Sequence, residues 1–355
     1  MLIPLAAATA DTCGGKAGGL GALIRAHLPV PDGIVVPYDG EPLVDELGRW
    51  LEAAGDPVVA VRSSAANEDT TTTSAAGQHD SFLRVQGVAA VVEAVRACRA
   101  SLWTPRAIAY RDGADCPSMA VIVQRQVDGE VSGVMFTPAD PGGDTLIEAA
   151  WGLGPNVVEG RVTPDAYRVA ADDSVTRTIV DEPTLTDETA VRLAHLGYEV
   201  AAVQGSSQDI EWTVADGHLW LLQSRPVTAP PPPGGASTGT PGSHGTATGP
   251  ARIVRGPGDF RRVRPGDILV CRFTDPAWTP LLRIVAGVVT EIGGVLSHAA
   301  IVAREQHIPA VLGVPDAMTY LADGEPVTID GSTGIVSQSG ARGGTRTRTP
   351  GGTGT

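Results

Sequence analysis

Between residues 293 and 313 the chain reads GGVLSHAAIVAREQHIPAVLG, and His298 stands there in a setting suited to covalent chemistry. A neutral imidazole offers a nucleophilic lone pair near pH 7. An apolar run at 284–290 predicts a buried strand, Gly293 and Gly294 a flexible turn, and Ser297 an N-cap. A helix is predicted over 299–305, stopped by His307 and Pro309. The first turn of a helix presents free N–H groups and the positive end of its dipole, so a phosphoryl group carried on His298 would be held by them. The glycines let a ligand approach, and Arg304 is placed to meet a phosphate. An isolated histidine more commonly caps or packs, so the assignment depends on what the rest of the chain supplies.

Two other stretches supply phosphate and metal chemistry. In VVAVRSSAANEDTTTTSAAGQHDSFLRV (58–85) a hydrophobic strand ends at Arg62 and gives way to a turn of small polar residues beginning at Ser63. Arginine at a strand end beside hydroxyls suits bidentate phosphate binding. The loop before a second strand at 81–85 carries Gly77 and Gln78, which with Ser81 are candidate contacts to a triphosphate. Taken alone, the same stretch reads as a surface hairpin with a threonine-rich tip. In QDIEWTVADGHLWLLQSRPVT (208–228) two strands flank a turn at Asp216 and Gly217. Alternation puts Asp209 and Glu211 on one face of the first strand and Gln223 and Arg225 on one face of the second. With the turn centred on Gly217, Glu211 faces Gln223. A carboxylate and an amide oxygen are hard ligands for Mg²⁺, which completes its shell with phosphate oxygens and water. Arg225 can clamp the same phosphates. GGKAGGLG (14–21) is weaker: a glycine-rich loop around the chain's single lysine, Lys16, ahead of a helix predicted over 17–27.

GGVLSHAAIVARE followed by IPAVLG resembles the phosphohistidine segment in the swivelling domain of the phosphoenolpyruvate synthase, pyruvate phosphate dikinase and rifampicin phosphotransferase family. VRSSA, AGQHDSFL, LIEAAWGLG, VVEGRVTPDAYRV and QDIEWTV…LLQSRPVT fall in that family's order, as does VPDGIVVP after Lys16. The resemblance covers nearly the whole chain. It implies an α/β fold: an ATP-grasp-like ATP- and Mg²⁺-binding domain over 1–228, joined by a linker to a small β/β/α phosphohistidine domain. By resemblance Lys16 and Arg62 contact nucleotide phosphates, Gln124 lies where ATP-grasp folds bind the adenine edge, Glu211 and Gln223 hold Mg²⁺, and Arg225 binds phosphate. Glu148 is flagged as near the metal. The chain departs from the family pattern between Pro37 and residue 58 and again over 169–184, where it is short.

Composition bounds these readings. A chain of 355 residues with 42% hydrophobic content can bury two or three domain cores. A net charge of -14 argues against nucleic-acid and anionic-membrane partners, so an ATP site has to rely on a local cluster of arginine and metal. Four cysteines without metal-ligand spacing read as reduced, partly buried thiols. No basic start precedes the apolar N-terminus and no apolar run is long enough for a membrane span, which gives the expectation of a cytoplasmic protein. APPPPGGASTGTPGS (229–243) is a linker by composition, roughly 50 Å when extended. The domain beyond it is expected over 244–337, with TDPAWTP (274–280) as a rigid turn, and 338–355 as a low-complexity disordered tail.

The resemblance implies that His298 attacks the β-phosphoryl group of ATP, that AMP leaves with the terminal phosphate lost as Pi, or as PPi where phosphate is a co-substrate, and that phospho-His298 swings to an acceptor. The family's pyruvate-binding barrel and drug-binding domain have no counterpart here. The expectation is therefore transfer to an acceptor, of unidentified small-molecule chemistry, held on a separate partner protein. A carrier or regulatory module signalling through its phosphorylation state is the alternative.

Overall fold

The computed structural model describes residues 1–38, 44–65, 81–104, 118–140, 142–152, 154, 162–178, 182–228 and 239–338. Gly77 and Gln78, Cys116, and the tail from 339 lie outside them. Three sheets organise the chain, in the mixed α/β class that the sequence implies.

The first sheet comprises β1 (Ile3–Pro4), β2 (Gly33–Val36), β3 (Val59–Ala65), β4 (Ser81–Val85) and β5 (Met119–Arg125), in the order β1-β2-β5-β3-β4, antiparallel throughout. The uninterrupted apolar runs of β2, β3 and β5 are explained by burial on both faces. Helices α2 (Val44–Ala53) and α3 (Val88–Ala100) cover one face with Leu47, Leu51, Val91 and Val95. Helix α1 (Ala10–Arg25) covers the other with Ala17 and Leu20 against Val35 and Ile122.

The GGKAGGLG segment is therefore not a loop. It lies within α1, which breaks once, at Gly14 (φ 81°, ψ 167°). A β-carbon there would overlap the Ser64 carbonyl and hydroxyl. Ser64 Oγ donates to the Cys13 carbonyl at 2.6 Å and accepts from the Ala17 N–H at 3.0 Å, capping the second half of the helix at the break. Two further boundaries move: β3 continues past Arg62 to Ala65, and the helix expected over 92–106 spans Val88–Ala100.

The second sheet comprises β6 (Val131–Phe136), β7 (Thr145–Trp151), β8 (Asp165–Val169), β9 (Val175–Thr178), β10 (Gln208–Ala215) and β11 (His218–Pro226), in the order β11-β10-β6-β7-β8-β9. Alternation sends Met135, Ile147, Ile210, Trp212 and Leu221 to one face, under helix α4 (Asp187–Gln204). Thr186 Oγ1 accepts from the Thr189 N–H at the start of α4 and Gly205 ends it in the left-handed region, as expected for such caps. The opposite face carries Val134, Phe136, Glu148, Asp209, Glu211 and, past an irregularity in β11, Gln223 and Arg225.

The third sheet comprises β12 (Thr240–Ser243), β13 (Thr246–Val254), β14 (Ile268–Cys271), β15 (Gly287–Thr290), β16 (Ala310–Leu312), β17 (Pro326–Asp330) and β18 (Ile335–Gln338). Its order is β12-β16-β15-β14-β13-β17-β18, with β13 to β16 parallel. Residues 240–243, assigned to the linker by composition, are an edge strand paired with Ala310–Leu312. Around this sheet lie α5 (Thr279–Leu282), α6 (His298–Glu305) and α7 (Ala317–Tyr320). Helix α6 joins the parallel strands β15 and β16, so its N-terminus opens at their carboxyl ends, where open α/β sheets bind ligands. Among the described residues no helix is long and apolar enough to cross a membrane, and Cys13, Cys98 and Cys271 are buried and not joined in disulfides.

Candidate active site

The first two sheets meet along α1. Gln204 Nε2 donates to the Gly19 carbonyl, and the Leu221 N–H to the Pro29 carbonyl. At this junction the charged residues singled out from sequence converge. Lys16, on α1, places Nζ 3.5 Å from Ser63 Oγ. Arg62, on β3, donates from Nη1 to the Leu222 carbonyl at 3.0 Å and lies 3.9 Å from Glu211 Oε2. Glu211 pairs directly with Gln223, and Asp209 with Arg225. The Arg225 guanidinium meets Asp209 Oδ2 at 2.8 Å, both side chains being buried. Burial pushes the Asp209 carboxyl up, and Arg225 pulls it back. Ser81 sits opposite Arg62 in the β3–β4 ladder.

Gln124 is positioned differently from the sequence expectation. It is buried, and its Nε2 donates to the Pro31 carbonyl at 3.0 Å, tying β5 to the segment before β2.

Glu211 and Gln223 fit a magnesium ion carried in on a nucleotide. Two hard oxygen donors stand side by side on neighbouring strands, with Arg62 close to the carboxylate. Mg²⁺ is commonly bound by one or two protein ligands plus phosphate oxygens and water. Among the described residues no group of three or more His, Cys, Asp or Glu could hold a metal without such a partner.

His298 is the first residue of α6, behind Ser297 at the N-cap position (φ -73°, ψ 162°). Ser297 Oγ makes no cap bond; it is buried with no hydrogen-bond partner among the described residues. The imidazole is only 3% exposed, a correction to the picture of a ring standing open beside flexible glycines. Nδ1 lies 2.8 Å from Thr274 Oγ1 and Nε2 3.3 Å from Thr279 Oγ1. Both threonines belong to the TDPAWTP segment, which looked like a turn; its hydroxyls at either end were the available signal.

The loop leading to His298 rests on the polar face of the second sheet. Glu148 accepts from the Val295 N–H at 2.6 Å (Oε1) and the Leu296 N–H at 3.2 Å (Oε2). Leu296 and Val295 pack on Val134, Phe136 and Leu146. Burial pushes the Glu148 carboxyl up to about 7 despite these two N–H donors and Arg304. In the sheet Glu148 is opposite Val134, Val134 opposite Glu211 and Glu211 opposite Gln223, one row across four strands.

Arg304 does not face the histidine. Its Nη1 donates to the Gly242 and Val295 carbonyls at 2.9 and 2.8 Å, and its guanidinium stands 6.0 Å from the Phe136 ring centre. Burial lowers its pKa to about 10, against the pull of Glu148, Asp209 and Glu305. It joins the edge strand, the loop and the second sheet.

The family model described as pyruvate phosphate dikinase, AMP/ATP-binding domain, matches residues 41–182 and 172–234, more than half of the chain. That of the mobile domain of PEP-utilising enzymes matches residues 263–334. The probable phosphoenolpyruvate synthase of Methanothermobacter thermautotrophicus is 33% identical over 419 residues, covering 91% of this chain and 61% of the relative. The phosphoenolpyruvate synthase of Aeropyrum pernix is 32% identical, with 91% and 56% covered, and that of Escherichia coli 37% identical, with 78% and 43% covered. The chain spans about half the length of the curated relatives it matches.

Proposed function

Because the chain belongs to the pyruvate phosphate dikinase and phosphoenolpyruvate synthase family, we propose that it is a dikinase-type phosphotransferase that phosphorylates its own His298 from ATP. One observation carries this reading. The loop immediately ahead of His298 is seated by Glu148 on the sheet face that also presents Glu211, Gln223 and Arg225. The loop that carries His298 and the groups we assign to a nucleotide thus share one side of one sheet.

The threonines set up the imidazole. With Nδ1–H donating to Thr274 Oγ1, the lone pair is on Nε2, whose 3.3 Å contact with Thr279 is the looser of the two. Nε2 attacks the β-phosphorus of ATP, the bond to the α,β-bridging oxygen breaks, and AMP leaves with that electron pair. Water then cleaves the terminal phosphate as Pi, leaving phospho-His298. Lys16, Arg62 and Arg225 stabilise the charge spread over the transferring group. Glu211 and Gln223 would hold Mg²⁺, which when bound neutralises charge on the phosphate oxygens.

Onward delivery requires the third-sheet domain to leave this face. Residues 229–238, which connect it to the second sheet, reach at most about 35 Å when extended. So short a connection leaves no room for a further domain between the nucleotide and histidine parts. The acceptor is thus held outside these two parts, and we propose that a partner protein carries it.

Incubation with β-labelled ATP and Mg²⁺ tests the reading. An acid-labile, alkali-stable label with equimolar AMP, both lost in His298→Ala, is the expected result; AMP without protein label would overturn it. Discharge of the label only on adding a companion acceptor protein supports the split arrangement. A label that is never discharged but changes affinity for a protein supports the regulatory alternative.

A further inference from the structure

We infer that Glu148 is the positioning residue that docks the His298-bearing loop on the nucleotide face, and that Gly294 lacks a side chain in order to admit it. The inference rests on the proposed phosphorylation of His298 and deepens it, because it names what holds the nucleophile in place.

The sequence points to Glu148 as a residue near the metal and to the glycines as an opening for a ligand. The structure gives both a different use. Each Glu148 oxygen takes one backbone N–H of the loop, Oε1 from Val295 and Oε2 from Leu296. The carboxylate is 3% exposed, so these contacts are made in a dry setting where N–H bonds to a carboxylate are strong. A β-carbon on Gly294 would stand 2.5 Å from Glu148 Cδ and Oε2, closer than real atoms approach. The Gly294 backbone is not in the left-handed region, unlike Gly293 at φ 109°, so alanine is conformationally permitted there. The three atoms that a side chain there would meet first all belong to Glu148.

Beside the apolar packing of Val295 and Leu296, few polar groups among the described residues join the two sides. Loop, helix and histidine belong to the third-sheet domain, whereas Glu148 belongs to β7. The other described polar bridge nearby is the Thr228 hydroxyl donating to Glu305 at 3.3 Å. Arg304 fixes the carbonyl of Val295 from within the mobile domain, so the loop keeps its shape when Glu148 lets go. Glu148 therefore controls where His298 is, not how it reacts.

Four full-length proteins test this: wild type, Glu148→Ala, Gly294→Ala and the double variant. Three measurements are made on each: ATP-driven labelling of His298, labelling by phosphoramidate, and the radius of gyration by small-angle scattering. Phosphoramidate needs no nucleotide domain, so it reports on the imidazole alone. Glu148→Ala is expected to slow ATP-driven labelling about tenfold or more, to enlarge the radius, and to leave phosphoramidate labelling at or above the wild-type rate. Gly294→Ala should act likewise, and should add nothing in the Glu148→Ala background.

A structural defect would lower both kinds of labelling together, which overturns the positioning role. So would wild-type labelling and radius in Glu148→Ala. A full Gly294→Ala penalty in the double variant overturns the pairing. Were wild type not to label from ATP at all, the proposed function would fail, while the radii would still decide whether Glu148 docks the domain.

Discussion

Glu148 and Arg304 grip one residue, Val295, by its two main-chain polar groups. The Val295 N–H meets Glu148 Oε1 at 2.6 Å, and the Val295 carbonyl accepts from Arg304 Nη1 at 2.8 Å. One side chain comes from strand β7 and the other from helix α6, and they share a buried loop next to His298. This explains how an arginine that looks, from sequence, like a phosphate ligand serves the fold.

Arg304→Lys separates the two roles. A lysine keeps the positive charge, but its ammonium ends one bond short of Nη1, the nitrogen that meets both the Gly242 and Val295 carbonyls. Losing charge-assisted bonds to buried carbonyls costs about 2–4 kcal/mol. Urea unfolding should show that loss in Arg304→Lys. A phosphate ligand would instead leave stability unchanged and weaken labelling, and that result would return Arg304 to the site.

Thr274→Val removes the acceptor for Nδ1–H while nearly preserving side-chain shape. In the proposed arrangement the tautomer with its lone pair on Nε2 then loses its shorter support, leaving the looser Thr279 contact, and ATP-driven labelling should fall about 10–100-fold. Nitrogen chemical shifts of His298 check the cause directly: wild type should carry its proton on Nδ1, and the variant a mixture. Equal labelling by the two proteins would remove Thr274 from the mechanism.

Much of this was legible in the residues. The order of the blocks, the capped helix from Asp187 to Gln204 and the placement of His298 at the start of a helix follow from local chemistry, which sequence displays. The pairing of Glu211 with Gln223 is as expected, though not by the expected route. The hairpin turn is two residues, Asp216 (φ 51°) and Gly217 (φ 72°), with Ala215 opposite His218. Continued in register, that turn would set Glu211 against Leu222. A bulge between Glu211 and Trp212 shifts the ladder by one, restores Gln223 as the partner and leaves the Leu222 carbonyl to Arg62. Other features were hidden because they are tertiary. Gly14 and Gly294 look alike as flexible glycines, yet one breaks a helix over Ser64 and the other makes room for a carboxylate 146 positions away. Strand Thr240–Ser243 has linker composition and becomes a strand only because Ala310–Leu312 pairs with it.

Arg62→Met tests the junction of the first two sheets. The side chain bridges β3 to the Leu222 carbonyl and stands beside Glu211; under the proposed function its loss removes both a hydrogen-bond donor to phosphate and a neutralising charge. Removing one such donor at a transferring group costs about 10²–10³ in rate. ATP-driven labelling should fall by that order while phosphoramidate labelling of His298 stays at wild type. A fall in both would place Arg62 in the support of the fold rather than in transfer.

Glu148 also makes stability depend on pH in a direction opposite to that of most carboxylates. Burial raises its folded-state pKa from the ordinary 4.5 to about 7, with Arg304 and the two N–H groups opposing the shift and Asp209 adding to it. Between those values the folded protein holds a proton that the unfolded chain has released. The contribution is therefore fully present below about pH 4.5, declines as pH rises through 7, and is flat above. Asp209, also raised by burial, titrates in both proteins when wild type is compared with Glu148→Gln. The comparison thus isolates Glu148: the amide introduced by Glu148→Gln does not ionise and still offers the Val295 N–H one oxygen. Urea unfolding at intervals from pH 4.5 to 8 should show wild type losing stability relative to Glu148→Gln up to about pH 7. A constant difference across that range would mean that the carboxyl is not held in a dry interface, and the docked arrangement of loop and sheet would fall with it.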